Sequence, residues 1–245
     1  MIDLHTHILP GVDDGPRSWD EALEMARLAV ADGIRTVVAT PHLFRGRVVD
    51  LKALNPPELI LETVDRLQAR LAEADIDLEV VPGCEVPLSF EAMRLLEEGQ
   101  LLTLNNANRY ICLEMPDMAI PAATEDIIFH FSSRGLTPII THPERNLAFA
   151  ENPEKLVRFL RLGCLAQITA GSLIGRFGRR VARFAKDLAT KGFAHIVASD
   201  AHDCQGRPPL LAEAVKYLSR LIGEVQAREM VSGTPQSILK GKSVL

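Results

Sequence analysis

The sequence is poor in several features that would define a protein at a glance. Its 245 residues hold four cysteines, Cys84, Cys112, Cys164 and Cys204, widely separated and without a C-x-x-C pair. That spacing argues against a structural zinc site or a redox dithiol and fits reduced thiols. The positions six after them carry Phe90, Met118, Ala170 and Leu210, so the C-x5-R chemistry of thiol phosphatases is excluded. No apolar run approaches the roughly 18 residues that cross a bilayer, and the first residues lack the charged-then-apolar pattern of a signal peptide; the expected location is cytoplasmic, without membrane insertion. Charge of one sign is also missing: 27 basic residues face 32 acidic ones, a balance of −5, which gives no bulk attraction to nucleic acid or anionic lipid. Stripes of aromatic and basic residues that stack on single strands are absent too.

What is present is ordinary globular composition, 47% hydrophobic and 24% charged, ordered in a repeating pattern. Short β-branched runs occur at residues 1–5, 36–40, 78–84, 110–114, 137–141, 165–169 and 195–199. Segments of helical period lie between them at 22–31, 58–74, 89–98, 124–133, 153–162, 178–191 and 210–222, the first behind a Ser18 cap with Glu21 three residues on. Gly33, Gly99, Gly135, Gly163 and Gly192 stand where these helices should end. Strands alternating with helices predict parallel βαβ units, and the absence of any linker predicts a single domain over 1–245. The expected fold is α/β, a seven-stranded barrel-like arrangement.

In such folds chemistry gathers at the C-terminal ends of the strands. His5 and His7 close the first run, and residues i and i+2 of a strand share a face. His42 follows the second run, Glu85 the third, Glu114 ends the fourth, His142 follows the fifth, and Asp200 and His202 follow the seventh. A lone histidine on a strand is more often a satisfied core residue than a ligand, but here that explanation must succeed separately at six strand ends. Two histidines serve as controls: His130 lies within a helical segment and His195 starts the last run at the opposite edge.

Histidine and carboxylate without thiolate suit manganese, iron or zinc in open sites. The set exceeds what one ion can use and suffices for two or three. Paired ions roughly 3.5–4 Å apart are the usual device for hydrolysing phosphoesters, and that chemistry wants cations that grip phosphoryl oxygens. Arg145 and Arg207 lie on the appropriate loops.

The segments Asp3-Leu-His5-Thr-His7, Val12-Asp-Asp14-Gly15, Thr40-Pro-His42, Gly83-Cys-Glu85, Leu113-Glu114-Met-Pro, Thr141-His142-Pro-Glu-Arg145, Ser199-Asp200-Ala-His202 and Gly206-Arg207-Pro-Pro209 together resemble the polymerase-and-histidinol-phosphatase (PHP) superfamily. More narrowly they resemble its bacterial manganese-dependent protein tyrosine phosphatases of capsule and exopolysaccharide synthesis. Asp14 and Glu114 favour that branch, since many other members carry histidine there. The resemblance implies a distorted (β/α)7 barrel and two or three divalent ions, manganese first, with iron or zinc possible. One ion would take His5, His7, Glu85 and Asp200, a second Glu85, Glu114 and His142, and a third Asp14, His42 and His202. It also implies hydrolysis by metal-activated water without a phospho-enzyme, with Arg145 and Arg207 on the phosphoryl oxygens. The implied substrate is phosphotyrosine on a protein such as the tyrosine-rich tail of a bacterial tyrosine kinase. Asn146 departs from the aromatic residue many members place after the arginine.

The competing enzyme reading is a PHP phosphatase of a small phosphomonoester such as histidinol phosphate; the non-enzyme reading is a metal-stabilised regulatory subunit. Gly241-Lys242-Ser243 is no P-loop, because Gln236 stands where the first glycine belongs. Ala170-Gly171-Ser172 lacks the second glycine of a nucleophile elbow. Arg176, Arg179, Arg180 and Arg183 share one helix face. They read first as solvated, and otherwise as a docking surface for an acidic or phosphorylated tail.

Overall fold

The expected third run divides in two. Pro82 has no N–H to continue a ladder, and a Cβ on Gly83 would come within 3.0 Å of Val38 and 3.1 Å of Leu104. The chain therefore leaves one sheet at these residues and enters another. The computed structural model describes residues 1–44 and 50–244, so residues 45–49 and 245 of the expected 1–245 domain lie outside the described residues. Within them, β1 (Ile2–Thr6), β2 (Thr36–Ala39) and β3 (Glu79–Pro82) form one parallel sheet. A second parallel sheet holds β4 (Glu85–Pro87), β5 (Tyr110–Glu114), β6 (Thr137–Thr141), β7 (Leu165–Thr169) and β8 (Ile196–Ala198) in sequential order. The α/β class and the parallel pairing hold; the strands are arranged as three plus five rather than as seven in one sheet.

The long helices follow the expected segments closely: α1 (Trp19–Ala31), α2 (Pro57–Glu73), α3 (Phe90–Glu97) and α4 (Thr124–Ser133) are followed by a short α5 (Leu147–Glu151), α6 (Glu154–Arg161) and a short α7 (Ala170–Leu173). After them come α8 (Arg179–Thr190), α9 (Ala212–Ile222), α10 (Glu224–Glu229) and α11 (Gly233–Leu239). The Ser18 hydroxyl accepts from the Glu21 amide at 3.2 Å, the N-cap that the spacing predicts. Among the described residues no helix is long and apolar enough to cross a membrane.

Alternation along the strands sorts the core. Ile111, Leu113, Ile140, Ile168 and Val197 pack into the large cluster that includes residues of the surrounding helices. Tyr110, Cys112, Ile139, Leu165 and Ile196 belong to a smaller one with Leu4, Val38 and Val81, joined by Leu104 and by Ile238 of α11. The two sheets meet at two seams. At one, Leu43 donates to Glu85 O and Glu85 to Pro41 O, both at 2.9 Å; at the other, His7 donates to Ala201 O at 2.8 Å and Asp200 to His5 O at 2.9 Å. Four of the expected ligands thus have their own backbone in a seam.

Candidate metal centre

The seams bring the strand ends close enough for side chains from both sheets to meet. His5 Nε2 lies 3.2 Å from His7 Nε2, 3.4 Å from Glu85 Oε1 and 3.5 Å from Asp200 Oδ1. His42 Nδ1 is 3.2 Å from Glu85 Oε2 and 3.6 Å from Glu114 Oε2. His142 Nε2 is 3.1 Å from Glu85 Oε1 and 3.8 Å from Glu114 Oε1. His202 Nε2 and His42 Nε2 approach Asp14 Oδ1 at 3.3 and 3.5 Å. All nine side chains singled out in the sequence are brought together. Three groupings have donor atoms within 4.8 Å of one another: His5, His7 and Asp200; His42, Glu85 and Glu114; and His7, Asp14, His42 and His202. His7 and His42 each fall in two groups, so the clusters share edges.

The donor chemistry fits divalent cations. His5 Nδ1 lies 2.9 Å from Gln167 Oε1 and His7 Nδ1 2.6 Å from Asp13 Oδ2. Assigned as N–H donors to those oxygens, both imidazoles present an Nε2 lone pair to the centre, where the two face each other. A shared cation relieves that opposition, and it would also engage the buried Glu85 Oε2, which has no hydrogen-bond partner. The field has the same sign. Burial by itself would lower the His5 imidazole, but Glu85 and Asp200 outweigh it and lift its pKa to about 9. At His42 burial is likewise overcome, by Glu85 and Glu114, and the pKa rises to about 10. At His142 burial and then the Arg145 charge win instead and push the pKa down to about 4, and burial lowers His202 as well, so the carboxylates favour a cation most strongly beside His5 and His42. Burial and then the Glu85 charge push Glu114 up to about 7.

Backbone geometry sustains the cluster at a cost. His142 and Asp200, each just past a strand end, have φ of 36° and 52°, a region non-glycine residues rarely adopt. Gly15 cannot be replaced without movement, since a Cβ there would sit 2.1 Å from the His7 carbonyl oxygen. Its amide donates to Asp13 Oδ1 at 3.0 Å, and Asp13 Oδ2 also accepts from the His42 amide at 2.9 Å. The Thr141 hydroxyl donates to Glu85 Oε1 at 2.7 Å. Glu144, buried, accepts from the Thr169 amide and the Ser172 hydroxyl at 2.9 and 2.7 Å and so fixes the turn between His142 and Arg145.

Both arginines arrive as well. Arg145 Nη2 lies 2.6 Å from Asp200 Oδ2, and Arg207 Nη2 pairs with the same oxygen. They border a cleft of about 380 Å³ whose walls include Asp117, Met118, Phe177 and Val181 beside the clustered ligands. A larger cavity, about 670 Å³ beside Met1 at the start of β1, contains none of the clustered side chains.

Asn146 does not line the cleft. It is buried, donating to Pro116 O at 2.6 Å and Ala119 O at 3.1 Å and accepting from the Phe149 amide at 2.9 Å. It therefore ties down the loop that carries Met118 to the cleft wall. The control histidines stay apart: His130 pairs with Glu97 at 3.0 Å, and His195 Nδ1 accepts from the Ala166 amide at 3.1 Å. Burial pushes the Cys84 thiol up to about 12, far from a nucleophile's range. Asp13 and Gln167 were not assigned from the sequence. Gln167 did leave a signal, as a polar side chain within an apolar run.

A parallel α/β scaffold with this centre and these two guanidinium groups defines a metal-dependent phosphatase. The chain belongs to the CpsB/CapC family of capsular polysaccharide synthesis, whose model matches residues 1–240. It is 37% identical over 244 residues to the tyrosine-protein phosphatase YwqE of Bacillus subtilis, covering 100% of this chain and 93% of that one. Identity to the tyrosine-protein phosphatase CpsB of Streptococcus pneumoniae is 28%, with 98% of both chains covered. A crystal structure from work on YwqE and CpsB, described there as unique metal-dependent tyrosine phosphatases, superposes with a TM-score of 0.94 at 37% identity, covering 100% of this chain and 96% of that chain. The family resemblance drawn from the motifs therefore holds.

Proposed function

We propose that this chain removes phosphate from phosphotyrosine in proteins, as a metal-dependent phosphomonoesterase tied to capsule or exopolysaccharide synthesis. The observation that carries the reading is the meeting of the ligand cluster and both arginines at the seams, beside an open cleft. In this reading His5, His7, Glu85 and Asp200 hold one divalent ion, Glu85, Glu114 and His142 a second, and Asp14, His42 and His202 a third. Manganese is the first choice, iron or zinc the next. Bound ions supply an activated water and neutralise charge on the phosphoryl oxygens.

The chain's own residues do the rest. Arg145 and Arg207 grip the phosphoryl oxygens by charge-assisted hydrogen bonds. Asp13 and Gln167 hold the His7 and His5 rings with Nε2 turned inward. Met118, Phe177 and Val181 offer apolar wall to an aromatic ring, and a phenolate leaves without strong acid assistance. The same reading takes the two sheets as a distorted barrel, 1–245 as one domain, the cytoplasm as its location, and a bacterial tyrosine kinase as the phosphotyrosine protein. The names of the relatives favour this substrate over histidinol phosphate.

The test is a metal-stripped enzyme resupplied with Mn²⁺, Zn²⁺ or Mg²⁺ and assayed on a phosphotyrosine peptide, a phosphoserine peptide and histidinol phosphate. Mn²⁺ should restore the highest activity, on phosphotyrosine. Preference for histidinol phosphate would overturn the substrate, and inactivity with every metal would overturn the enzyme.

A further inference from the structure

Helix α8 begins at the cleft. Phe177 and Val181 form part of its wall, and the Arg145 guanidinium lies 5.1 Å from the centre of the Phe177 ring. Arg179, Arg180 and Arg183 of α8 are exposed, with Arg183 at i+4 and i+3 from the other two and so on their side of the helix. Arg176, expected on the same helix face, is exposed in the turn before Gly178. Arg176 Nη1 donates to Gly206 O at 3.3 Å, one residue before Arg207, so the basic strip starts at the rim beside the phosphate-gripping arginine. Among the described residues none of the four forms an ion pair with a carboxylate.

Within the fold these charges work against α8. Arg179 and Arg180 are its first two residues, at the positive end of the helix dipole, where cations are unfavourable. Its first turn has no acidic residue and Gly178 supplies no side-chain cap. Arg179 and Arg183 are a like-charge i, i+4 pair, which repels. Helix α1, by contrast, opens with a Ser18 cap, Asp20 and Glu21, and α3 with a Ser89 cap and Glu91. In a chain of net charge −5, these guanidinium groups, without a carboxylate partner among the described residues, form a local conflict beside the cleft.

We propose that this strip docks the substrate: an acidic stretch of the polypeptide that carries the phosphotyrosine lies along α8, its Asp and Glu carboxylates beside Arg179, Arg180 and Arg183, while the phosphoryl group enters the cleft. The proposal rests on the phosphotyrosine reading above. It makes the strip a selector among phosphotyrosine proteins, acting on capture and not on the chemical step.

The test compares the manganese-loaded wild type with Arg179→Glu/Arg180→Glu and Arg179→Gln/Arg180→Gln on three substrates. These are a phosphotyrosine peptide flanked by Asp and Glu, the same peptide flanked by Lys, and para-nitrophenyl phosphate. The wild type should favour the acidic peptide. The Glu variant should raise its KM by about tenfold with kcat nearly unchanged, the Gln variant should fall between, and para-nitrophenyl phosphate should be hydrolysed equally by all three. Added salt should raise the wild-type KM for the acidic peptide. Thermal melting guards against a folding artefact, because both variants should melt higher once charge repulsion at the helix start is relieved. Equal KM values for the acidic peptide in wild type and variants, or wild-type indifference to the flanks, would overturn the docking surface. So would tight wild-type binding to anionic vesicles with no discrimination between peptides. Wild-type failure on every phosphotyrosine peptide would instead overturn the function itself, and is visible before any variant is made.

Discussion

Two layers on the inner faces of the same strands are both largely withdrawn from water and energetically opposite. Toward the strand starts, Tyr110, Ile139, Leu165 and Ile196 pack with Leu104 and Ile238. Farther along the same strands come Glu114, Thr141 and Gln167, and beyond Ile196 stands Asp200. Relative exposure is 1% at Glu85 and Asp200, and 1% at Ile139. Burial stabilises the first layer by roughly 25 cal/mol for each Å² of apolar surface removed from water. In the second layer it desolvates imidazoles and carboxylates, holds two residues in left-handed backbone, and leaves Glu85 Oε2 without an aligned hydrogen bond, although His42 Nδ1 stands 3.2 Å away. One layer supplies the stability that lets the other exist, and on β6 and β7 the passage between them takes two residues, from Ile139 to Thr141 and from Leu165 to Gln167.

Substitutions can break or sharpen that contrast. The largest effect is expected from Glu85→Ala, which removes the carboxylate that approaches His5, His7, His42 and His142. It should lower activity by about a thousandfold or more, with bound metal lost and the far-ultraviolet circular dichroism retained. If metal content, measured by mass spectrometry, survived that change, the second layer would not be a metal centre. Next, Ile139→Ala in the apolar layer should cost about 2–5 kcal/mol of unfolding free energy, read by denaturant melts, while the folded fraction keeps its metal and its kcat. Loss of metal in that variant would mean that the layers are one unit. The smallest effect belongs to Asp13→Asn, which weakens the hold on the His7 ring; metal affinity should fall by about 10–100-fold at unchanged melting temperature, as titration with a competing chelator would show.

Much of the second layer was legible because its residues sit at strand ends, where a polar side chain interrupts an apolar run: His5 and His7, Glu114, and His142 after Thr141. The parallel α/β order was legible for a similar reason, since α2, α4 and α8 are long enough to show a helical period. Short α5, α7, α10 and α11 carry too few turns for such a period and were missed. The division of the third strand was also missed. Its cause is the crowding of Gly83 against Val38 and Leu104, which exists only once the first sheet is built. Asp13 escaped because its role depends on reaching His7 Nδ1 across a loop; in sequence it is simply the first of two adjacent aspartates. Asn146 shows the reverse: its departure from the family pattern was visible, but its work as a tether for the loop of Met118 requires the folded neighbours.

Asp14 bears on the time scale of the centre. Its side chain is 45% exposed, on the loop that Gly15 closes, while His5 and His7 are fully enclosed. Ions leave a cluster through the ligand that water reaches most easily, so the outer grouping of Asp14, His42 and His202 is the expected door. Lengthening Asp14 to glutamate would then change the residence time of an ion held by Asp14, His42 and His202 more than that of one held by His5, His7 and Asp200. A cell that alters its metal supply would meet this enzyme first as a question of exchange rate.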